Sequence, residues 1–434
     1  MSESHNWSLK QNFFIPAQAG IQKTFHKIKK NMTTKNHDSQ FTNHDSLIRI
    51  GITGQPGFMG THLYNYLGLK ENVSRIAFKD EFFSDKKLLN DFVSQCDVIV
   101  HLAAMNRHND PQAIYDTNIK LVNDLLTACD ETGSKPHILF SSSTQEERDN
   151  LYGKSKSDGR TLFEEWAKKN NSNFTALVIP NVFGPFGRPY YNSVIATFCH
   201  QLTHNDTPKI EVDGELKLIY INELVEEFWK KIQQTSHQPV RHLSGGSQIT
   251  NHHNVVERYE VPHTSVNKVS KILETLNRFK EQYFEKGIIP QISNNFELAL
   301  FNTFRCYFPN DRFPFMLSKN TDNRGSFIEI LRSGIPGQYS YSTTKPGITR
   351  GNHYHTRKIE RFAVIHGKAK IELRKIGTEE VVTYYLDGES PSFVDMPIWT
   401  THNITNIGDN DLYTLFWINE PYNPEDPDTY FEKV

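Results

Sequence analysis

The stretch Ile50-Gly51-Ile52-Thr53-Gly54-Gln55-Pro56-Gly57-Phe58-Met59-Gly60 joins a β-branched apolar run, Leu47–Ile52, to a helical pattern from Gly60 to about Leu67. Gly54, Gly57 and Gly60 stand at Gly-x-x-Gly-x-x-Gly spacing, after a strand and before a helix. In that setting the first glycine permits a sharp turn and the second lets the backbone approach a pyrophosphate. The third lets the helix pack closely with its N-terminus facing the anion. A glycine triplet alone is weak, and its place between strand and helix is what gives it weight. Working outward, Arg75–Phe78, Cys96–Leu102 and His137–Phe140 read as strands, with helical segments at Leu88–Ser94, Ile119–Cys129 and Ser157–Lys168. Strands alternating with helices predict an α/β doubly wound parallel sheet with right-handed crossovers.

Tyr152-Gly153-Lys154-Ser155-Lys156 puts a phenol and an ammonium one helical turn apart, on the same face. A lysine beside a tyrosine favours the phenolate and is expected to lower its pKa, readying it to exchange a proton with an alkoxide. Upstream, Ser141-Ser142-Ser143-Thr144 ends a strand and offers a hydroxyl to orient a carbonyl. An isolated Tyr-x-x-x-Lys is usually a surface helix face. Its order after the glycine turn and the serine run points to catalysis.

Between about Pro185 and Asn295 the pattern is less regular, with helical spacing over Val266–Phe284, and reads as a mixed substrate-covering subdomain. After Phe308-Pro309, strand-like runs (Phe327–Leu331, Ile371–Leu373, Val381–Leu386, Tyr413–Ile418) alternate with Gly and Pro turns, the pattern of a small all-β barrel. The expected organisation is a disordered extension over 1–46, an α/β domain over 47–305 and a β-domain over 306–434. The β-domain carries a second chemistry. His353, His355 and Glu360 lie between Gly347 and Gly367, and His402 follows Pro397. Residues i and i+2 on a strand point to one face, so His353 and His355 can converge on one ion.

Composition bounds the rest. The 434 residues are 37% apolar and 23% charged with a net charge of −2, which describes a globular chain without the basic excess of a nucleic-acid or membrane-surface protein. Cys96, Cys129, Cys199 and Cys306 show no paired spacing, so a reducing cytoplasm is expected, and no apolar run approaches a membrane span. Several of the 19 histidines, His252 and His253 among them, fall in loops where solvent exposure explains them.

The N-terminal part resembles the extended short-chain dehydrogenase/reductase family, a Rossmann-type fold, through the glycine turn, Cys96–Ala104, Tyr152–Lys156 and Pro180-Asn181-Val182-Phe183-Gly184-Pro185. The resemblance implies Ser143, Tyr152 and Lys156 as the catalytic set, with Ser142 and Thr144 as alternatives to Ser143. It implies Gly54, Gly57, Phe58, Met59, Gly60, Leu102, Ala103, Ala104, Asn118, Tyr152 and Lys156 at the cofactor. Asn106, Arg107, Asn181 and Asn192 would meet the substrate. Val178 stands where the family usually has a basic residue. Likeness favours NADPH over NADH, although Lys79, Asp80 and Glu81 are themselves neutral on the question.

The β-domain resembles the cupin family. Gly-x5-His-x-His-x4-Glu-x6-Gly is complete from Gly347 to Gly367, and the second motif runs from Pro397 to Asn406 with Trp399 in place of its usual glycine. That likeness makes His353, His355, Glu360 and His402 an N3O set for a divalent ion, zinc foremost. The alternative is a cupin fold without its metal.

The order reductase then cupin, with Tyr191–Cys199, Asp322–Phe327, Lys345–His353 and Pro427–Phe431, resembles the bifunctional capsular-polysaccharide enzymes of the UDP-N-acetyl-L-fucosamine pathway. This implies a UDP-activated 2-acetamido-2,6-dideoxy-4-keto-hexose as substrate, C3 epimerisation by the cupin, C4 reduction by the reductase, and a homodimer. Tyr339, Tyr341, Tyr354 and Lys358 are near the metal motif but read as structural or solvated, and no epimerising base stands out. Two rivals are a simple UDP-sugar 4-reductase or 4-epimerase with a passive cupin dimerisation module, and a non-enzymatic cofactor- or sugar-binding protein.

Overall fold

The apolar run at Leu47–Ile52 becomes an interior strand, second from one edge, of a six-stranded sheet. The structure, a computed structural model, describes residues 47–236, 254–317, 319–322, 325–328, 338–420 and 423–434. The expected extension over 1–46, His252, His253 and part of the expected strand Phe327–Leu331 lie outside the described residues. The first strands are β1 (Ile48–Thr53), β2 (Val73–Ile76), β3 (Val98–His101), β4 (His137–Ser143) and β5 (Phe174–Ile179). They are followed by β6 (Asn181–Phe183), β7 (Glu215–Tyr220), β8 (Val256–Glu260) and β9 (Ser265–Lys268). The main sheet runs β2-β1-β3-β4-β5-β8 with every neighbouring pair parallel. Every residue of β3 and β5 is buried, as a sheet covered on both faces requires.

The helices are α1 (Phe58–Leu67), α2 (Lys86–Ser94), α3 (Pro111–Thr132), α4 (Leu151–Asn170), α5 (Val194–Thr203), α6 (Ile221–Ser236), α7 (Val269–Phe279) and α8 (Asn295–Arg305). Local signals set their ends. The Asp110 carboxylate accepts the Gln112 N–H at 2.9 Å, Pro111 opens α3, and Gly133 at φ 67° closes it. The chain reverses direction across the sheet between β1 and β3, so a crevice opens at their C-terminal ends, where Gly54 and Leu102 lie. The helix expected over Val266–Phe284 begins only at Val269. Ser265–Lys268 instead pairs antiparallel with β7, and beyond α7 the chain makes one wide turn of π-helix over Lys280–Glu285. The helical periodicity resides in Val269, Ile272, Leu276 and Phe279, the buried face of α7.

The rest of the chain is β: β10 (Phe315–Met316), β11 (Lys319–Asp322), β12 (Gly325–Ile328), β13 (Gln338–Thr344), β14 (Thr349–Tyr354), β15 (Glu360–His366), β16 (Lys368–Lys375), β17 (Val381–Asp387), β18 (Ser392–Met396), β19 (Thr400–Asn406), β20 (Leu412–Ile418) and β21 (Tyr430–Phe431). Two five-stranded antiparallel sheets, β10-β18-β15-β20-β13 and β17-β16-β19-β14-β21, enclose Val364, Ile371, Leu373, Val394, Ile404 and Leu412. This is the double-sheet body that the cupin likeness implies.

The α/β and β parts are not beads on a string. Ile359 and Trp417 of the β part, 0% and 1% exposed, belong to the same apolar cluster as Phe279, Phe301 and Phe304. The Arg361 guanidinium reaches both Asp395 oxygens at 2.8 and 3.0 Å and donates to the Gly287 carbonyl, while the Tyr283 hydroxyl donates to Asp395. Arg305 of α8 donates to the Met396 carbonyl at 2.7 Å. Removing one member of such a buried ion pair typically costs about 3–5 kcal/mol, because its partner is left charged and dry. Among the described residues no helix is long and apolar enough to cross a membrane.

Candidate active sites

Gly54 adopts φ +69°, and a Cβ there would lie 2.8 Å from the Ala103 Cα and N, so the turn lies directly against the end of β3. At Gly60 a Cβ would stand 2.4 Å from the Gly54 carbonyl oxygen, which is the close helix-to-turn approach expected of the third glycine. Gly57 donates its N–H to the same carbonyl at 3.0 Å and caps α1 without a side chain. The first helical bond is Thr61 N–H to the Gly57 carbonyl, leaving the N–H groups of Phe58, Met59 and Gly60 without intrahelical acceptors. A bare, positive helix end beside a crevice floored by glycine fits a pyrophosphate. Phe58, Met59, Ala103 and Ala104 are half-buried around it, and Leu102 is buried beneath. Thr53 Oγ1 and His101 Nδ1, 2.8 Å apart and buried, tie β1 to β3 at this point. Burial, with a further push from Lys156, lowers His101 to about 3 and keeps its ring neutral.

Tyr152 lies in the first turn of α4 and Lys156 one turn on, its Nζ 5.8 Å from the Tyr152 ring centroid. Lys156 is buried and donates to the Ser141 carbonyl at 2.9 Å. Burial lowers it to about 8 and raises Tyr152 to about 12, Tyr191 adding to the latter. The expected lowering of the phenol is therefore not what the chain presents. The ammonium is engaged with a backbone carbonyl, and desolvation prevails at the phenol. A phenol that keeps its proton suits a group that must donate it.

The serine run sorts itself by its partners. Ser141 donates to the His101 carbonyl and Ser142 to Glu146, while Thr144 is exposed. Ser143 is half-buried, and its Oγ accepts the Gln145 N–H at 3.2 Å, which leaves its own proton to give. A Cβ on Gly153 would stand 2.0 Å from the Gln145 carbonyl oxygen, so only glycine lets α4 carry Tyr152 this close to the strand end. Asn118 is buried. Its amide donates to the Met105 carbonyl (3.1 Å) and Ser155 Oγ (3.0 Å), and its oxygen accepts the Met105 N–H (2.7 Å). It braces the loop after β3 against α4.

On the substrate side, Arg107 donates to the Tyr190 carbonyl at 3.2 Å, which brings the loop after β3 to the segment holding Asn192. Asn106 is half-buried and Asn192 exposed. Asn181, on β6, is exposed and donates to the Lys217 carbonyl at 3.1 Å. Among the described residues no hydrogen bond joins Asn181 to Arg107.

In the β part, His353 faces His402 in register across β14 and β19. Gly347 (φ +73°), Gly351 (φ +98°) and Gly367 (φ +84°) all take left-handed conformations around them. One ligand atom from each of His353, His355, Glu360 and His402 lies within 4.8 Å of the others. Glu360 Oε2 is 3.0 Å from His355 Nε2. His402 Nε2, 3.2 Å from that oxygen and wholly buried, makes no hydrogen bond among the described residues. An orphaned imidazole nitrogen at the convergence of three other donors fits a divalent cation. Burial opposes charge on Glu360, but His355 and His402 outweigh it and hold the carboxyl well below its usual range. Burial foremost lowers His353 to about 3.

Tyr339 and Tyr341 are exposed. Tyr354 is buried and stacked between Trp399 and Tyr430. Lys358 is buried and donates to the Pro427 carbonyl. Tyr354 and Lys358 are thus held in structural roles, and Tyr339 and Tyr341 face solvent.

Sequence reasoning missed three neighbours of these sites. His62 of α1 is buried 6.5 Å from the Trp399 ring, Glu146 pairs with Ser142 and Arg160, and Asp428 grips the loop after His355. Only Asp428 left a signal, as part of the Pro427–Phe431 run.

The fold and these sites define a dinucleotide-dependent reductase joined to a second β-domain that carries a His/Glu cluster able to hold a metal ion. Residues 50–243 match the NAD dependent epimerase/dehydratase family and residues 320–430 the polysaccharide biosynthesis C-terminal domain. The chain is 31% identical over 386 residues to the UDP-2-acetamido-2,6-beta-L-arabino-hexul-4-ose reductase of Pseudomonas aeruginosa, covering 88% of this chain and 98% of that one. It is 34% identical to the crystal structure of the capsular polysaccharide assembling protein CapF from Staphylococcus aureus, with a TM-score of 0.54, covering 89% of this chain and all of that one. A shorter likeness, 27% identity over 122 residues, links 26% of the chain to 81% of the spore coat polysaccharide biosynthesis protein SpsL of Bacillus subtilis. The chain belongs to the family of the Pseudomonas aeruginosa UDP-4-keto-sugar reductase, and its likeness to CapF runs over the same two parts.

Proposed function

We propose that this chain is a bifunctional UDP-sugar enzyme serving UDP-N-acetyl-L-fucosamine and capsular or O-antigen polysaccharide biosynthesis. The cupin domain, residues 306–434, inverts C3 of a UDP-2-acetamido-2,6-dideoxy-4-keto-hexose. The reductase domain, residues 47–305, then reduces the C4 ketone to give UDP-2-acetamido-2,6-dideoxy-L-talose. The order follows from acidity, since the C3 proton is labile only while C4 is a ketone. The observation that carries the reading is a His3Glu cluster, buried but for the half-buried His353, on the same chain as a Tyr–Lys pair and a dinucleotide turn.

Gly54, Gly57 and Gly60, with Phe58, Met59 and Leu102–Ala104, receive NADPH, which likeness favours over NADH. His353, His355, Glu360 and His402 hold a divalent ion, zinc by the character of the donors. When bound, NADPH supplies the hydride for C4 and the ion supplies Lewis acidity at the ketone oxygen. Ser143 gives its free proton to a hydrogen bond with that oxygen. Tyr152 transfers its phenolic proton there as the ketone becomes an alcohol, and the Lys156 charge, anchored on Ser141, favours that loss. Asn106, Arg107, Asn181 and Asn192 serve the sugar nucleotide. Family likeness makes the enzyme a cytoplasmic homodimer.

The test is product NMR with the intact chain, the 4-keto sugar nucleotide and NADPH in heavy water. Deuterium at C3 together with a reduced C4 is expected. NADPH consumption that leaves C3 unlabelled would sink the epimerase half.

A further inference from the structure

The run Pro427-Asp428-Thr429-Tyr430-Phe431 has no part in either reaction as described, yet it lies against the metal-ligating strand. β21 pairs antiparallel with β14, placing Phe431 opposite His353 and Tyr430 opposite Tyr354. Glu432 N–H donates to the Asn352 carbonyl at 3.0 Å, and Thr401, next to His402, donates its hydroxyl to the Glu432 carbonyl.

Asp428 is the centre of this attachment. It is 2% exposed and held at φ +41°, a conformation that side chains other than glycine seldom take. Its carboxylate accepts the Thr356, Arg357 and Lys358 N–H groups at 3.0, 3.1 and 3.1 Å, and the Thr356 hydroxyl at 2.7 Å. These are three of the four residues between the ligands His355 and Glu360. Its main-chain carbonyl faces His355 Nδ1 at 2.5 Å. A carbonyl can only accept, so Nδ1 carries the proton, and the Nε2 lone pair is left to face Glu360 and the cluster.

Resting on the reading of the four residues as a divalent-cation site, we propose that Asp428 is its positioning residue. The side chain fixes the loop and the strained backbone, and the backbone carbonyl thereby fixes the ring orientation and tautomer of His355. Partners of this kind typically set metal affinity by about 10- to 100-fold.

The test uses the full chain, stripped and reloaded with Co(II), whose visible absorption reports ligand geometry, and with Zn(II) titrated against a competing chelator. Asp428→Ala is expected to weaken Zn(II) binding by about 10- to 100-fold and to alter the Co(II) bands, with NADPH affinity unchanged. Thr356→Val, which removes one donor to the carboxylate, is expected to weaken binding less, and it carries the test should Asp428→Ala not fold. Wild-type affinity and an unaltered Co(II) spectrum in the folded variants would overturn the proposal. A wild-type chain that takes up no metal, or a His353→Ala chain that binds as tightly as wild type, would instead overturn the metal-site reading beneath it.

Discussion

Trp399 occupies the place of a glycine in the cupin motif, and replacing it with glycine sets two effects against each other. Its φ of +55° is left-handed, which costs an L-residue about 1–2 kcal/mol and glycine almost nothing. Restoring glycine relieves that strain. Against this, the indole is 3% exposed, stacks on Tyr354 at 5.5 Å and 29°, and meets His62 edge-on at 6.5 Å and 82°. Deleting a buried tryptophan costs about 3–5 kcal/mol. The packing loss is the larger effect, so Trp399→Gly should destabilise by about 1–4 kcal/mol although it restores the motif. Trp399→Ala loses the same packing without the relief and should fall about 1–2 kcal/mol further. Urea unfolding of the metal-free chain reads both changes without contribution from ion binding. A Trp399→Gly midpoint at or above wild type would refute the packing argument, and equal midpoints for the two variants would refute the strain argument.

Other expectations concern the two sites separately. Tyr152→Phe should slow NADPH oxidation by about 10²- to 10⁴-fold while deuterium still enters C3, which NMR in heavy water resolves. Because burial lowers Lys156 to about 8, kcat/KM for reduction should fall as pH rises through that value and the ammonium is lost, and a profile flat to pH 10 would contradict the assigned role. The linkage to folding has the opposite sense. Between about 8 and the ordinary lysine value the unfolded chain binds the extra proton, so the contribution of Lys156 to stability rises with pH. Gly153→Ala would drive a methyl to 2.0 Å from the Gln145 oxygen and should cost about 1–3 kcal/mol in denaturant titration, with reductase activity lost ahead of NADPH binding. His353→Ala should abolish deuterium entry at C3 and leave NADPH affinity, measured by fluorescence titration, as in wild type.

What could be read from the sequence was local in origin. The glycine turn, the strand–helix alternation and the His-x-His motif each depend on residues within one or two turns or strands. Gly54 and Gly60 occupy the conformation and close contact that their spacing implied. The split of Val266–Phe284 was hidden because four alternating residues pair with a strand some fifty positions earlier, a partner that periodicity does not register. Ser143 could not be separated from Ser142 and Thr144 by order alone, since the choice depends on which hydroxyl Glu146 has taken and which faces solvent. The state of Tyr152 was misjudged for a related reason. Proximity of a lysine is visible in Tyr-x-x-x-Lys, but the burial that outweighs it comes from the whole surrounding fold.

The shared interior also determines how the two chemistries can be separated by experiment. A cut near residue 305, between α8 and the β-domain, would strip Ile359 and Trp417 from the cluster around Phe301 and Phe304, and would part Arg305 from the Met396 carbonyl. It would also remove Tyr283 and Gly287 from the buried Arg361–Asp395 pair. Each isolated half would expose apolar surface and unpaired polar groups that the intact chain buries, so silence from a separated half would report unfolding as readily as missing chemistry. Single substitutions in the intact chain avoid that confusion. Tyr152→Phe and His353→Ala each remove one group proposed to react or to ligate and leave the interior closed. Exchange without reduction in the first, and cofactor binding without exchange in the second, would show that the two sites act in sequence on one sugar.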